Sequence, residues 1–575
     1  MAGPVHYEIY IRRTQTDDWA LSQAVDDRRL ALDTAENLMR DRVAAAVRVT
    51  KEILDPETME FASVVILRRG ASKLKRRRAA PVEPRGPACR SVQDLYTPYA
   101  REMIGRVLKD WLLRHEATPF ELLHRPDLAE RLEASGLDLQ HAIQKVAVPE
   151  AQAAPGQSVH ERMRHYQRLV EQAIERLLKA GRKGAFADLE RRCIADEADR
   201  LADAADRAFR MGGTVAGSLR GLSGAWSRLE RLMDVCDQAA STGPSRDLVF
   251  VPVEQILCEL LGSRESLTRI LGPGLDLGVS LAAAVRMVAP EAVCAALSHE
   301  TRLLLLTPPV EGPPARLSRR LAAGEFPLLA TTLARVILRE LMSPRRLRTG
   351  DAAGEIDILR ALAAALTATA GRLLTLEEVQ AAFVERSRSL VSAEFVAAYV
   401  ADCPTALVEA ERLIRLCENV TGGANKRAAA RRLEACVASL RFETEMRGRK
   451  RTEAPSPAQR LLSLADLQRA AARAGLPERE TQSIVAVLGA VGAAVEADAR
   501  LTMQIARSAA PILHRLTALL RLAAGETGPA GPAAERARKE AVRLMRTSDA
   551  RAALGAEPHA AQTLRPLMQA VGLAA

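Results

Sequence analysis

Four stretches of this 575-residue chain carry residue types that catalysis, metal binding or anion binding would need. In "HERMRH" the histidines are His160 and His165. A helical zinc motif sets two histidines four residues apart on one face, whereas a spacing of five turns them about 140° apart. The pair reads as solvated histidines on a basic helix and implies no metal. "GPGLDLGVS", Gly272 to Ser280, has the glycine density of a phosphate loop. A dinucleotide loop follows a strand, however, and the preceding "SLTRIL" has helical character, so the stretch reads as a helix-helix turn. In "MGGTVAGSLRGLSGAW" glycines recur at 213, 217 and 221, and neither Ser218 nor Ser223 sits in a G-x-S-x-G frame. Those glycines read as structural. No catalytic constellation stands out, and neither a cofactor nor an enzymatic activity is indicated.

"TGGANKR", Thr421 to Arg427, is more suggestive. Gly422 and Gly423 end one helix and Asn425, Lys426 and Arg427 open the next, where free amides and the helix dipole favour an anion. The Walker spacing is absent, so no nucleotide is specified. Lys426 and Arg427 are the choice for a small anion, against the alternative of a helix stop followed by a basic first turn.

The strongest charge feature is "LRRGASKLKRRRAAPVEPRGPACR". Residues 68–90 hold nine Lys or Arg and one acid, residues 1–67 eight bases against twelve acids, and the 485 residues that follow carry +7 of the chain's +11. Lys73, Lys75, Arg76, Arg77 and Arg78 lie between Gly70 and the Pro-rich "PVEPRGP", on an extended segment. It reads as a tether, as a phosphate-binding arm for nucleic acid or an anionic surface, or as a strap docked on an acidic protein surface. The arm carries no aromatic, so it has no stacking platform for single strands, and phosphate contacts alone read no sequence. "RGRKR" at 447–451 offers a second contact.

The elements that must position these residues fall into two classes. Period two governs the start. Val5, Tyr7, Ile9 and Ile11 share one face, Trp19, Leu21 and Val25 repeat the spacing, and "AVRVTKEIL" and "FASVVILRR" read as two more strands around the turn Asp55-Pro56-Glu57-Thr58. Between the pairs, Asp26 or Asp27 caps a helix striped by Ala31, Ala35, Leu38 and Met39. Residues 1–70 are thus expected to form a small ββαββ (α+β) module, near the lower size limit for independent stability.

Beyond Pro87 helix signals dominate, with "DLVFVPV" (Asp247 to Val253) the one candidate strand. Ser91 with Asp94 and Thr375 with Glu378 have capping-box spacing. Tyr99, Met103, Val107 and Trp111 make an i, i+4 stripe, and Val379 and Phe383 begin another. Pro/Gly-rich breaks at 148–158, 241–247, 307–316, 447–458 and 525–534 punctuate the helices. The expected fold is mainly α, a multi-block helical bundle or array behind the module: a basic linker over 71–90, helical blocks over 91–245 and 246–450, and an Ala-rich block over 451–575. "ERLMDVCD" (230–237) and "ERLIRLCE" (411–418) agree in type at seven of eight positions, which reads either as a duplication of part of one block in the other or as chance similarity among common Leu, Arg and Glu.

Eight scattered cysteines without a C-x-x-C point to packed thiols and not to disulfides or zinc. The N-terminus has no unbroken apolar run of the signal-peptide kind, and the longest such run, Ile484 to Val495, is short of the roughly 20 residues of a membrane span. The expectation is a cytoplasmic, non-enzymatic helical scaffold or regulator acting on other proteins, self-association included; the alternative is a nucleic-acid-associated regulator that uses residues 68–90.

Overall fold

The computed structural model describes residues 5–14, 17, 19–54, 61–70, 88–153, 158–272, 274–448 and 455–573. Period two at the N-terminus becomes a four-stranded antiparallel sheet of β1 (Val5–Arg12), β2 (Ala20–Val25), β3 (Ala46–Leu54) and β4 (Phe61–Gly70), in the order β2-β1-β3-β4. Asp27 caps the helix Arg28–Arg40, accepting from the Leu30 amide at 2.7 Å. Ala31 and Ala35 of that helix pack on Ile9 and Ile11 of β1 and on Val47 and Val49 of β3, all buried. Four large aliphatic side chains, at roughly 1.5–3 kcal/mol each, make a thin core.

One expected face is broken. A bulge makes Ile9 pair with Gln23 but Tyr10 with Leu21, so Ser22 is the extra residue. Val25 stays opposite Tyr7 on the helix side, while Leu21 turns to the other face and is 53 % exposed.

The remainder is helical, and the described residues hold thirty α-helices in all. The chain divides into two compact units, Met1–Leu108 with Gly136–Gln172, and Lys109–Ser135 with Ala173–Ala575. Three local expectations change. Asp247 to Val253 lies inside the helix Pro244–Leu261, where Val249, Phe250, Pro252 and Val253 are buried and Val251 is exposed, so burial on one side of the helix outweighs strand propensity. The break expected from 148 begins later, since the helix Leu137–Ala153 runs through Pro149. The stripe from Tyr99 to Trp111 splits, with the helix Pro98–Val107 ending before the helix Lys109–Arg114 begins.

In the second unit helices pack on sequence neighbours and also on helices well along the chain: Leu277–Val288 meets Ala352–Ala368, and Pro244–Leu261 meets Pro327–Leu341. The matched stretches hold matching places. Leu232, Met233, Val235 and Cys236 are buried on the helix Ala225–Gln238, and Leu413, Ile414, Leu416 and Cys417 on the helix Ala406–Asn419. Each helix packs on its successor, Pro244–Leu261 or Gly423–Val437, entered through a glycine at φ near +90° (Gly243, Gly422), a conformation that strains a residue with a Cβ. Each then meets a short serine-capped helix, Arg264–Leu271 or Leu440–Arg447.

Helix ends in this unit are closed by side chains from elsewhere. Glu254 accepts from the Leu328 and Leu329 amides at 2.7 and 3.2 Å, at the start of the helix Pro327–Leu341. Glu259 accepts from Phe120 at 2.7 Å and Glu445 from Ala406 at 2.7 Å, both at helix starts, while Glu355 in the first turn of the helix Ala352–Ala368 holds the loop before it through the Leu347 and Arg348 amides, at 3.0 and 2.8 Å. Buried Glu121 joins the Thr118 cap to both Arg125 and Arg228, and Arg228 donates to the Glu116 carbonyl at 2.6 Å. Among the described residues one unbroken helix, Glu478–Ala499, is long and apolar enough to cross a membrane by length and composition, and two sharply bent pairs, Leu277–Val288 with Pro290–Leu297 and Pro313–Ala322 with Pro327–Leu341, reach that measure together. Gly489 and Gly492 of the helix Glu478–Ala499 lie against Ala530 and Pro529, where a Cβ would collide.

Burial raises the pKa of Glu254 above its ordinary value, and the two amide hydrogen bonds pull it partly back. The folded state therefore holds this proton more tightly than the unfolded chain. Its contribution to stability falls as pH rises from the ordinary carboxyl value of about 4.3 through the raised one. Glu254→Gln, which keeps an oxygen for both amides, is expected to flatten that slope, as measured by denaturation midpoints across this pH range; an unchanged slope would show that Glu254 does not set it.

Candidate functional site

Among the described residues of the first unit, two constellations bring chemistry-bearing side chains together. The first is the sheet face turned away from the module's helix. Strand alternation puts His6, Glu8, Tyr10 and Arg12 of β1 on it, with Arg48, Thr50 and Glu52 of β3 and Arg68 of β4; Tyr10 pairs with Arg48, and Arg48 with Arg68. Trp19, just before β2, gathers three guanidinium groups around its ring, Arg12 at 4.2 Å, Arg48 at 5.2 Å and Arg68 at 5.9 Å. Arg48 also stands 4.5 Å from the Tyr10 ring centre. Arg12 is 1 % exposed, and among the described residues its Nε and Nη1 find no hydrogen-bond acceptor. The Tyr10 hydroxyl donates to Glu8 at 2.5 Å, and that bond, with burial, raises the phenol's pKa. A cationic face with two aromatic rings suits phosphate and stacked bases.

The second constellation is a cavity of about 110 Å3 among the 3-10 turn Val92–Tyr96 and the helices Pro98–Val107, Leu137–Ala153 and Val159–Arg182. Its wall is mainly apolar: Leu95, Met103 and Ile104 on one side, Ile143 and Val146 on another, Val170 on the third. Tyr99, 59 % exposed, also lines it. The polar groups are Glu150, Tyr166 and the Cys89 thiol. The Tyr166 hydroxyl donates to both Glu150 oxygens, at 2.7 and 2.8 Å, and Arg162 Nη1 stands 3.7 Å from Oε2. Burial and the bond to Glu150 push the Tyr166 phenol up. Burial, with the charges of Asp94 and Glu150, pushes the Cys89 thiol up to about 11.

The residues singled out from sequence are placed as follows. Lys73, Lys75, Arg76, Arg77 and Arg78 lie outside the described residues, as do the turn Asp55 to Thr58 and the segment 81–87. Lys426 is committed elsewhere. Its ammonium donates to the carbonyls of Cys417 and Glu418 at the end of one helix and to Ala474, at 2.7 Å, at the end of the helix Pro457–Arg473. Three donors on three carbonyls leave none for an anion. Arg427 is exposed. His165 meets the Cys89 carbonyl at 2.8 Å, and His160 is exposed. Of the stretch 272–280, Gly272 closes the helix Arg264–Leu271, Asp276 caps the helix Leu277–Val288, which holds Leu277 to Ser280, and 273 lies outside the described residues. Gly213 packs against the Phe186 ring so closely that a Cβ would lie 2.2 Å from it. At 447–451, Arg447 pairs with Asp498 and Glu443, and 449–451 lie outside the described residues. Among the described residues no group of three His, Cys, Asp or Glu side chains is set to hold a metal ion.

Sequence reasoning placed the positive charge in the linker and passed over the sheet face, although residues 6, 8, 10 and 12 alternate with the apolar positions it used. The cavity had no such signal, because its polar groups come from positions 89, 150 and 166.

Lys426→Met is expected to cost about 1–3 kcal/mol through three orphaned carbonyls, and Arg427→Ala less than about 0.5 kcal/mol, both read from urea midpoints; equal effects would remove the capping role. At pH 7.5 a thiol reagent is expected to label exposed Cys193 well before Cys89 or the buried Cys236, Cys417 and Cys436, whose thiols burial pushes up to about 11 or 12. Peptide mapping of the labelled protein checks that order.

Comparison with protein-family models, with curated proteins and with solved structures finds no match for this chain.

Proposed function

We propose that the protein is a non-enzymatic, cytoplasmic regulatory scaffold whose helical body acts through contacts with other proteins. The observation that carries this reading is the employment of the buried charges of the second unit. Glu121, Glu254 and Glu355 are bound to backbone amides or to arginines of the same unit, and Arg386 donates to the Arg345 and Glu340 carbonyls at 2.5 and 2.8 Å. Groups held in this way position helices and are not poised on a substrate. The recurrence of one three-helix arrangement, Ala225–Gln238 with its two successors and Ala406–Asn419 with its two, accords with a duplicated array, an architecture that offers broad surface to partners. Recovery of a stoichiometric protein partner by in-cell crosslinking is the expected result. A reproducible turnover that one polar substitution abolishes would overturn the reading.

A second reading has its own support in the arginines and aromatics of the sheet face. Arg68, the member of that face contributed by β4, lies at the start of the basic stretch 68–90 in sequence. In this reading the module and residues 68–90 hold the phosphates of a nucleic acid. A salt titration against duplex DNA, RNA and anionic vesicles separates the two. Intact protein binding with a log-log slope of about −4 to −5, lost when Lys73, Lys75, Arg76, Arg77 and Arg78 become Ala, would fit five released counterions and favour the second reading. Absence of binding to all three would leave the scaffold.

A further inference from the structure

We propose that the cavity of the first unit is a binding site for a small molecule with an apolar body of about six to eight carbons and a hydrogen-bond donor at one end. This goes beyond the scaffold reading and stands on different residues. The void is built in by small side chains. Ala100 on the helix Pro98–Val107 and Ala142 on the helix Leu137–Ala153 both line it, where leucines would fill it. An apolar pocket of this order, open on the side of Tyr99, takes up a benzene-sized guest that replaces water on its apolar wall, because closing it by collapse strains the surrounding helices. At about 110 Å3 the cavity fits one ring or a short branched chain.

The chemistry of the head group follows from the polar groups. Glu150 lines the cavity and is buried, and its carboxylate shares a single tyrosine proton between both oxygens. A carboxylate has about four acceptor positions, so lone pairs remain for a guest. Arg162 approaches one oxygen only at 3.7 Å. A hydroxyl or ammonium head is therefore accepted, and an anionic head is repelled. Tyr99, the most exposed of the lining residues named, marks the entrance.

The test uses the full-length protein with benzyl alcohol, benzylamine, toluene and benzoate, followed by thermal shift and calorimetry. The two donor-bearing probes are expected to bind saturably, toluene about tenfold more weakly for want of the one hydrogen bond, and benzoate not at all. Glu150→Gln is expected to remove the advantage of benzylamine while toluene still binds. Ala142→Phe, which fills the void, is expected to abolish the response to every probe with native circular dichroism. Should Ala142→Phe fail to fold, Cys89 supplies the independent readout. Saturating benzyl alcohol is expected to slow alkylation of Cys89 and to leave Cys193 unchanged. No shift and no protection of Cys89 by any probe, or a folded Ala142→Phe that keeps its response, would overturn the proposal. A benzoate affinity equal to that of benzylamine would overturn the assignment of the head group.

Discussion

The interaction on which the helical architecture rests is the closing of one helix's end by a charged side chain of another. Every helix leaves four amides and four carbonyls without internal partners, and burial makes each one costly. In this chain Glu254, Glu259 and Glu445 reach across to amides at foreign N-termini. Lys426 does the converse, joining the carbonyl ends of two helices through one ammonium. Because the partner groups lie on different helices, a cap here is also a packing restraint. It fixes where one helix starts against the side of another, which close packing of Leu and Ala alone would specify only loosely.

That logic explains the scarcity of aromatic anchors. With 18 aromatics in 575 residues, the chain has few large side chains to set register between helices. In places the fit is tight enough to require glycine, as at Gly489 and Gly492 against Ala530 and Pro529.

What was legible in the sequence follows the range of the interactions. The capping boxes Ser91–Asp94 and Thr375–Glu378 close within four residues and were readable, as were Asp27 and the alternation of β1. The mainly helical class with a leading ββαββ module was readable for the same reason. The tie of Glu254 to Leu328 spans 74 residues and leaves no local trace. Tertiary burial reversed the strand propensity of "DLVFVPV", and the role of Lys426 depends on Ala474, which no reading of "TGGANKR" contains. The basic linker was conspicuous in composition. The cationic sheet face was hidden, because its arginines are spread over three strands that only the register brings together.

The bulge opposite Ile9 and Tyr10 reaches further than the misplaced face of Leu21. β2 stands at one margin of the sheet, is six residues long, and is kinked at Ser22. A flat, regular margin offers a row of unpaired amides and carbonyls to any other strand it meets, whereas a short twisted one cannot keep register with a newcomer for more than a few residues. The irregularity thus guards the β2 margin against open-ended sheet growth, and a register shift opposite Val49 and Thr50 breaks the regularity of β4 at the other margin.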